Sequence, residues 1–214
     1  MKYIVVPSVI TTTQNQLNVM LNKVIGKVDR VQLDIMDGNF VPNNSLNFDF
    51  YLKPGLHYEA HLMINQPLKW ISKNAHKIQT VIMHIETLKN VSAALDHAKN
   101  KGIKVGLATT LETKLEKILP HLKKIDQLLF MTVDPGSYCK EKEFRSEPLD
   151  NVKRIREINQ TLPIEVDGCM NPKNAKLAKA AGANIFVSGS YILKSNNVDR
   201  AINELKEAIS ANIL

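Results

Sequence analysis

Three short apolar stretches of the sequence end in side chains that can transfer protons or bind metal ions. VQLDIMDG contains Asp34, EAHLM contains His61, and IEVDG contains Asp167. Two carboxylates on opposite sides of a carbon next to a carbonyl group can invert it, because one removes a proton and the other returns one. Asp34 and Asp167 are therefore the catalytic candidates. The structural alternatives are an ion pair or turn cap for the aspartates, and a buried core histidine for His61.

Short apolar runs alternate along the chain with longer segments whose apolar residues recur every three or four positions, which predicts alternating strands and helices. One such apolar stripe comprises Leu149, Val152, Ile155 and Ile158. The predicted strands are Tyr3–Pro7, Arg30–Met36, Tyr58–Ile64, Thr80–Ile85, Lys104–Thr109, Gln127–Val133, Ile164–Asp167 and Asn184–Ser188. The predicted helices include Asn90–Asn100, Thr113–His121, Leu149–Asn159, Lys173–Ala181 and Val198–Ile209.

Eight strand–helix units in 214 residues favour an α/β fold of one domain, a single (β/α)8 TIM barrel over residues 1–214. No glycine-rich dinucleotide-binding segment follows the first strand, which argues against an open Rossmann sheet. The carboxyl ends of barrel strands surround one mouth, so the barrel brings Asp34, His61 and Asp167 together.

Composition excludes several classes of function. The net charge of +7 comes largely from lysines at helical spacing, and no basic run is interleaved with aromatic residues, so we expect no nucleic-acid partner. No apolar run is long enough to span a membrane, and Pro7 interrupts the apolar N-terminus, so we expect no membrane partner. Cys139 and Cys169 are too few for a disulfide framework, which favours a reducing, cytoplasmic location.

The three stretches resemble those of ribulose-phosphate 3-epimerases, which read roughly HxDVMDGxFVPN, HLM and VDGG. The resemblance covers nearly the whole chain and implies the same barrel. In that family two histidines and two aspartates hold a divalent metal ion. The resemblance therefore implies a metal site formed by Asp34, His61, Asp167 and Gln32. Gln32 replaces a histidine of the family and is a weaker ligand for zinc. The expected cofactor is Zn, Mn, Fe or Mg, weakly bound.

Phosphate recognition needs backbone amides aimed at an anion, and two turns after the last strands are placed to supply them. The resemblance implies further contacts of the sugar with methionines near strand ends, for which core packing is the alternative, and with a serine that can instead cap a helix. The predicted substrate-binding residues are Ser8, Met36, Met63, Met131, Gly136, Gly168, Cys169, Gly189 and Ser190.

The chain departs from the family after Gly136, where two glycines of a mobile lid are missing and SYCKEKEF stands instead. Lys140 or Lys142 can replace the lost contacts with a point charge, or the segment is a solvated surface loop. His84 and Glu86 share a face of the fourth strand and either line the mouth or support the ligands.

The resemblance implies an isomerase of the pentose phosphate pathway that epimerises a sugar phosphate, ribulose 5-phosphate to xylulose 5-phosphate. An allulose-6-phosphate 3-epimerase shares this chemistry, and a sugar-phosphate-binding homologue with impaired catalysis is the third hypothesis. Decarboxylases and hexulose-phosphate synthases on similar barrels use a DxKxxD array, but Met36 stands at the lysine position here. The sequence leaves open whether the chain forms a homo-oligomer.

Overall fold

The computed structural model describes residues 2–137, 139 and 143–210, and nine of its ten strands run parallel in one sheet. The strands are β1 (Ile4–Val6), β2 (Ser8–Val9), β3 (Arg30–Asp37), β4 (Asn44–Ser45), β5 (His57–Met63), β6 (Thr80–His84), β7 (Lys104–Thr109), β8 (Gln127–Met131), β9 (Ile164–Asp167) and β10 (Ile185–Val187). The helices are α1 (Gln14–Val24), α2 (Pro67–Asn74), α3 (Val91–Lys99), α4 (Pro148–Ile158), α5 (Pro172–Ala181), α6 (Ser190–Leu193) and α7 (Val198–Ser210).

The first segment of the chain joins the two ends of the sheet. The strand order is β1-β10-β9-β8-β7-β6-β5-β3-β2, and only Pro7 separates β1 from β2. Pro7 accepts a hydrogen bond on its carbonyl oxygen from the backbone N–H of Gln32 at 2.9 Å, which continues the ladder across the junction. The sheet therefore forms a barrel with helices outside it, and the predicted TIM-barrel fold is confirmed.

Apolar helix faces cover the outside of the barrel. In α7 the residues Ile202, Leu205 and Ile209 recur at helical spacing and are all buried, and burial of each such side chain contributes about 1.5–3 kcal/mol. The predicted stripe of α4 is buried at its first three positions, whereas Ile158 at the helix end is 59% exposed. None of the described helices is long and apolar enough to cross a membrane.

The helix predicted over Thr113–His121 is wrong. Two short 3-10 turns, Leu115–Lys117 and Leu119–His121, occupy this segment. Pro120 lacks a backbone N–H, so it cannot donate the bond that would continue an α-helix through its position. Thr113 is used differently, because its hydroxyl donates to Glu86 Oε1 near the mouth of the barrel.

Four polar side chains meet inside the barrel at the end opposite the mouth, and we call them the floor cluster. Arg30 Nη1 contacts Glu59 Oε2 at 3.1 Å and Gln127 Oε1 at 3.0 Å. Gln127 Nε2 donates to Glu59 and to Glu165. One arginine balances only one of the two carboxylates, and burial raises the pKa of Glu59 to about 7 and that of Glu165 well above its usual range.

Candidate functional site

Asp34 and Asp167 enter the mouth from strands that lie three steps apart around the barrel. Asp34 is on β3 and pairs in register with His61 of β5, while Asp167 ends β9 between Met131 of β8 and Val187 of β10. Asp34 is only 4% exposed, and its burial raises the pKa of its carboxyl group above the usual value. A raised pKa suits a carboxyl group that must alternately hold and release a proton.

The side chain of Gln32 joins the two aspartates. Its Nε2 donates to Asp34 Oδ1 at 2.7 Å and to Asp167 Oδ2 at 2.8 Å. His61 Nδ1 lies 3.5 Å from each of the same two oxygens and 3.4 Å from the Gln32 nitrogen. Gln32 and His61 are fully buried, so four polar groups converge in the barrel interior just below the mouth.

The two aspartates favour the protonated form of His61. Its burial opposes the charge, but hydrogen bonding and electrostatic attraction from Asp167 and Asp34 outweigh burial and raise the pKa of His61 to about 9. Its second nitrogen, Nε2, lies 2.9 Å from His84 Nε2. Burial lowers the pKa of His84 to about 4, so His84 is neutral at pH 7. Its Nε2 can then accept a hydrogen bond from His61 Nε2.

A hydrogen-bonded chain continues from His84 away from the aspartates. His84 Nδ1 lies 3.2 Å from Glu86 Oε2, and Glu86 Oε1 accepts from the backbone N–H of Thr110 at 3.0 Å. Burial disfavours the charge on Glu86, but its bonds with His84 and Thr113 prevail and lower its pKa to about 2. His84 and Glu86 therefore support His61 from behind, which was one of the two roles considered for them.

Asp34, His61 and Asp167 fit a metal ion, because one potential ligand atom from each lies within 4.8 Å of the others. Two carboxylates and an imidazole suit several divalent ions. Gln32 currently turns a donor group toward these atoms. Its carbonyl oxygen Oε1 is buried, and none of the described residues donates a hydrogen bond to it. Gln32 can offer that oxygen as a fourth ligand only if its amide turns around.

One cavity of about 540 Å³ lies above this group and is lined by both aspartates and by all nine residues predicted to bind substrate. Met36, Met63 and Met131 are at most 4% exposed and form its apolar wall. Ser8 lies in β2, and the N-cap of α1 is Thr13, so the suggestion that Ser8 caps a helix is wrong. The contact of these nine cavity residues with a substrate stays a prediction.

The two turns predicted to bind phosphate are tightly built. Gly168 has φ of +126° and Cys169 has φ of +49°, so the backbone here takes conformations that favour glycine. At Gly189 an added Cβ would stand 2.6 Å from Ser8 Oγ, which only glycine avoids. Both turns line the cavity that the three methionines also line.

Cys139 and Cys169 form a disulfide, contrary to the expectation drawn from the small number of cysteines. The bond ties the segment after Gly136 to the turn after β9. The two glycines of the family's lid are absent from the sequence after Gly136, and the disulfide holds Cys139 at the turn after β9. Lys140 and Lys142, proposed as point charges for the phosphate, lie outside the described residues.

Sequence reasoning missed three residues at this mouth. Asn43, in the VPN segment, donates through its side-chain amide to the carbonyl oxygen of Gly136. Lys23 and Lys194 line the cavity, and Lys23 Nζ donates to the carbonyl oxygen of Leu193 at 2.9 Å. No signal in the sequence singled out Lys23, because residue spacing does not reveal that α1 lies beside the mouth.

Comparisons with known proteins agree on one family. The model of the ribulose-phosphate 3 epimerase family matches residues 4–193. The ribulose-phosphate 3-epimerase of Schizosaccharomyces pombe is 30% identical over 202 residues, 88% of each chain. That of Aquifex aeolicus is 32% identical over 188 residues, 85% of each chain.

Solved structures are similar in fold. KGPDC from Streptococcus mutans gives a TM-score of 0.71 at 15% identity over 98% of both chains. The 3-hexulose-6-phosphate synthase from Salmonella typhimurium gives 0.70 at 14% identity, over 97% of this chain and 98% of that one. Identities this low show the barrel fold and not the reaction.

Proposed function

The chain belongs to the ribulose-phosphate 3-epimerase family of isomerases, and from this premise we propose that it interconverts D-ribulose 5-phosphate and D-xylulose 5-phosphate. The observation that carries the proposal is the pair of aspartates, Asp34 and Asp167, which reach one cavity from strands three steps apart around the barrel. Met36 stands where the synthases and decarboxylases on similar barrels have a lysine, so the fold neighbours of other activity do not alter this choice.

Two aspartates give the reaction its symmetry. One carboxylate removes the proton from carbon 3, next to the carbonyl group, and the other delivers a proton to the opposite face. Either direction uses the same two groups with their roles exchanged. The methionine wall excludes water from the reacting carbon, and Gly168, Cys169, Gly189 and Ser190 hold the phosphate away from the two acids.

Asp34, His61, Asp167 and, after reorientation, Gln32 are the residues proposed to hold a divalent ion, Zn, Mn, Fe or Mg. Such an ion neutralises negative charge that develops on the substrate oxygens. His84 and Glu86 keep the His61 ring in place through the hydrogen-bonded chain behind it.

A second candidate function is sugar-phosphate binding without catalysis. Gln32 and the segment after Gly136 both depart from the family, and they affect the metal site and the phosphate lid together. Allulose 6-phosphate is the alternative substrate for an active enzyme.

Proton exchange tests these functions directly. The purified chain is incubated in D2O with ribulose 5-phosphate and, separately, with allulose 6-phosphate, and NMR follows both loss of the carbon-3 proton signal and formation of the epimer. We expect exchange and epimer formation with ribulose 5-phosphate. If either sugar binds but no proton exchanges, the chain is a sugar-phosphate-binding protein without catalysis. If allulose 6-phosphate turns over faster than ribulose 5-phosphate, allulose 6-phosphate is the substrate.

A liganded structure tests where the phosphate group binds. In a liganded structure we expect phosphate or sulfate at the backbone amides of the two cavity turns, and an anion bound elsewhere with these amides free contradicts that placement. We propose a cytoplasmic location, as a relative from Oryza sativa is named a cytoplasmic isoform. The disulfide does not favour it, because disulfides are rare in the cytosol.

A further inference from the structure

The Gln32 amide nitrogen occupies the point on which the potential metal ligands converge. It lies 2.7 Å from Asp34 Oδ1, 2.8 Å from Asp167 Oδ2 and 3.4 Å from His61 Nδ1. A zinc ion binds its oxygen and nitrogen ligands at about 2.0–2.2 Å. A cation held by these three atoms and the amide nitrogen therefore compete for one position.

Electrostatics fixes which end of the amide points at the aspartates in the absence of a cation. Two carboxylate oxygens are acceptors, and the NH2 group supplies two donors that satisfy one oxygen each. The opposite orientation would place the amide oxygen against two negative oxygens, with His61 Nδ1, 3.4 Å away, as its one donor among the described residues. Hydrogen bonds to charged acceptors are the stronger kind, so this orientation is well defined.

The other end of the amide is left in an unfavourable state. Gln32 is fully buried, and Oε1 receives no hydrogen bond from any residue in the described part of the chain. Buried polar atoms without partners are rare in proteins because each carries a desolvation cost. A half-turn of the amide about its last side-chain bond brings this oxygen to the place of Nε2, and a small withdrawal of the side chain then leaves room for a cation that Oε1 can bind.

We propose that Gln32 is an internal substitute for the metal ion: its NH2 group bridges Asp34 and Asp167 when no cation is bound, and a cation binds only by turning it away. This inference deepens the proposed function and rests on it. The site is assembled without metal in this chain, and Gln32 sets the metal affinity by competition as well as by being a weak ligand.

The side-chain amide of Gln32 gives a direct readout in the full-length protein. Its 15N–1H2 resonances are assigned by their loss in Gln32→Met, in protein stripped of metal with EDTA and then titrated with ZnCl2. We expect both protons to be shifted downfield and slow to exchange before zinc, and to change shift at saturation. Resonances like those of an exposed glutamine before zinc, or unchanged at saturation, overturn the proposal. If wild type does not bind zinc, binding by Gln32→Met, which removes the NH2 group without supplying a nitrogen or oxygen ligand, supports competition, and failure of Gln32→Met to bind overturns it.

Thermal unfolding in EDTA tests the bridge independently. Gln32→Met keeps the length of the side chain and removes both donors, and Gln32→Glu replaces them with a third negative charge. We expect Tm to fall by at least about 5 °C in each variant, and added Zn2+ or Mn2+ to recover more of the loss in Gln32→Glu. The control Gln66→Met alters an exposed glutamine whose side chain does not cap α2, and should leave Tm unchanged.

A Gln32→Met protein as stable as wild type in EDTA overturns the bridge, since it shows that the two hydrogen bonds contribute nothing. If the variants do not fold, the resonances of the wild-type amide still decide, with assignment by selective labelling of glutamine. None of these measurements uses substrate. Failure of the bridge therefore leaves the epimerase activity untouched, and absence of activity leaves the bridge testable.

Discussion

The two carboxylates of the site can be tested one at a time. Asp34→Asn and Asp167→Asn keep the shape of the side chain and remove its ability to take a proton. Loss of a general base typically slows a reaction by about 10² to 10⁴, so we expect kcat to fall by that factor in each variant. Steady-state kinetics with ribulose 5-phosphate measures the effect. Near-native turnover in either variant contradicts the two-base assignment.

Gln32 can also be returned to the residue that the family has there. Gln32→His supplies an imidazole ligand and removes the competing NH2 group. Replacing residues that only contact the metal ligands alters metal affinity by about 10 to 100-fold. Adding a residue that binds the metal directly should therefore alter it at least as much. Calorimetric titration with Mn2+ and Zn2+ should give substoichiometric or weak binding for wild type and tighter binding for Gln32→His. Tight stoichiometric binding by wild type contradicts this expectation.

Cys169 occupies a left-handed backbone conformation that glycine adopts without cost, with φ of +49°. Cys169→Gly therefore relieves backbone strain while it removes the disulfide, and the backbone amide remains. We expect inorganic phosphate and substrate to bind within about two-fold of wild type. Cys169→Ser is the control, because it removes the disulfide and keeps the strain. Loss of binding in both variants would give the sulfur a role beyond the backbone amide of Cys169.

Residue types predicted the members of the site better than their arrangement. The positions of Asp34, His61 and Asp167 at strand ends were sufficient to expect them in one place, because parallel strands of a barrel deliver their carboxyl ends to one mouth. Which atom of Gln32 faces the aspartates depends on atoms from two other strands. The pairing of Cys139 with Cys169 depends on the path of a loop, and residue spacing does not encode that path.

At the scale of elements, the eight strands were predictable because each is a short apolar run with a turn on either side. Lys104–Thr109 and Ile164–Asp167 were predicted to the residue. The segment Thr113–His121 was not, since its apolar spacing resembles that of a helix and Pro120 sits inside it. In this segment the missing backbone N–H of Pro120 prevented the α-helix that the spacing of the apolar residues predicted.

Asn171 caps α5 directly after the turn proposed to hold the phosphate, and its side chain accepts from the backbone N–H of Asn174 at 3.0 Å. Replacing such a cap with alanine costs about 1 kcal/mol, which lowers Tm by roughly 2–4 °C in a chain of this size. Asn171→Ala should also raise KM, because the turn loses its anchor. Asn90→Ala is a matched control, since Asn90 caps α3 in the same way, accepting from Ala93. Equal KM changes in both variants would contradict a role specific to the turn.

At the scale of the whole molecule, the barrel interior has two polar ends. The mouth holds two aspartates beside His61, while the floor cluster holds two glutamates beside one arginine. Between them lie apolar residues such as Leu129 and Ile82. The hydrophobic pattern of the sequence predicted the barrel, but glutamates on strands read as solvent-facing positions, so the floor cluster was not foreseen.

The floor cluster makes a contrasting prediction for its two acids. Glu59 Oε2 contacts Arg30, whose side chain is 16% exposed, whereas the described contact of Glu165 is with the neutral Gln127. Glu59→Gln leaves the arginine without its carboxylate, and breaking a buried pair in this way costs about 3–5 kcal/mol. Glu165→Gln keeps the shape and leaves one carboxylate for one arginine.

Urea unfolding at pH 8 should therefore show a large loss of stability for Glu59→Gln and a change below about 1 kcal/mol, or a gain, for Glu165→Gln. No residue of the floor cluster lines the cavity at the mouth, so both variants should keep the same KM once folded. Equal losses of stability in the two variants would mean that Arg30 is shared evenly and that the floor holds its two carboxylates charged, because only then does each acid contribute the same attraction.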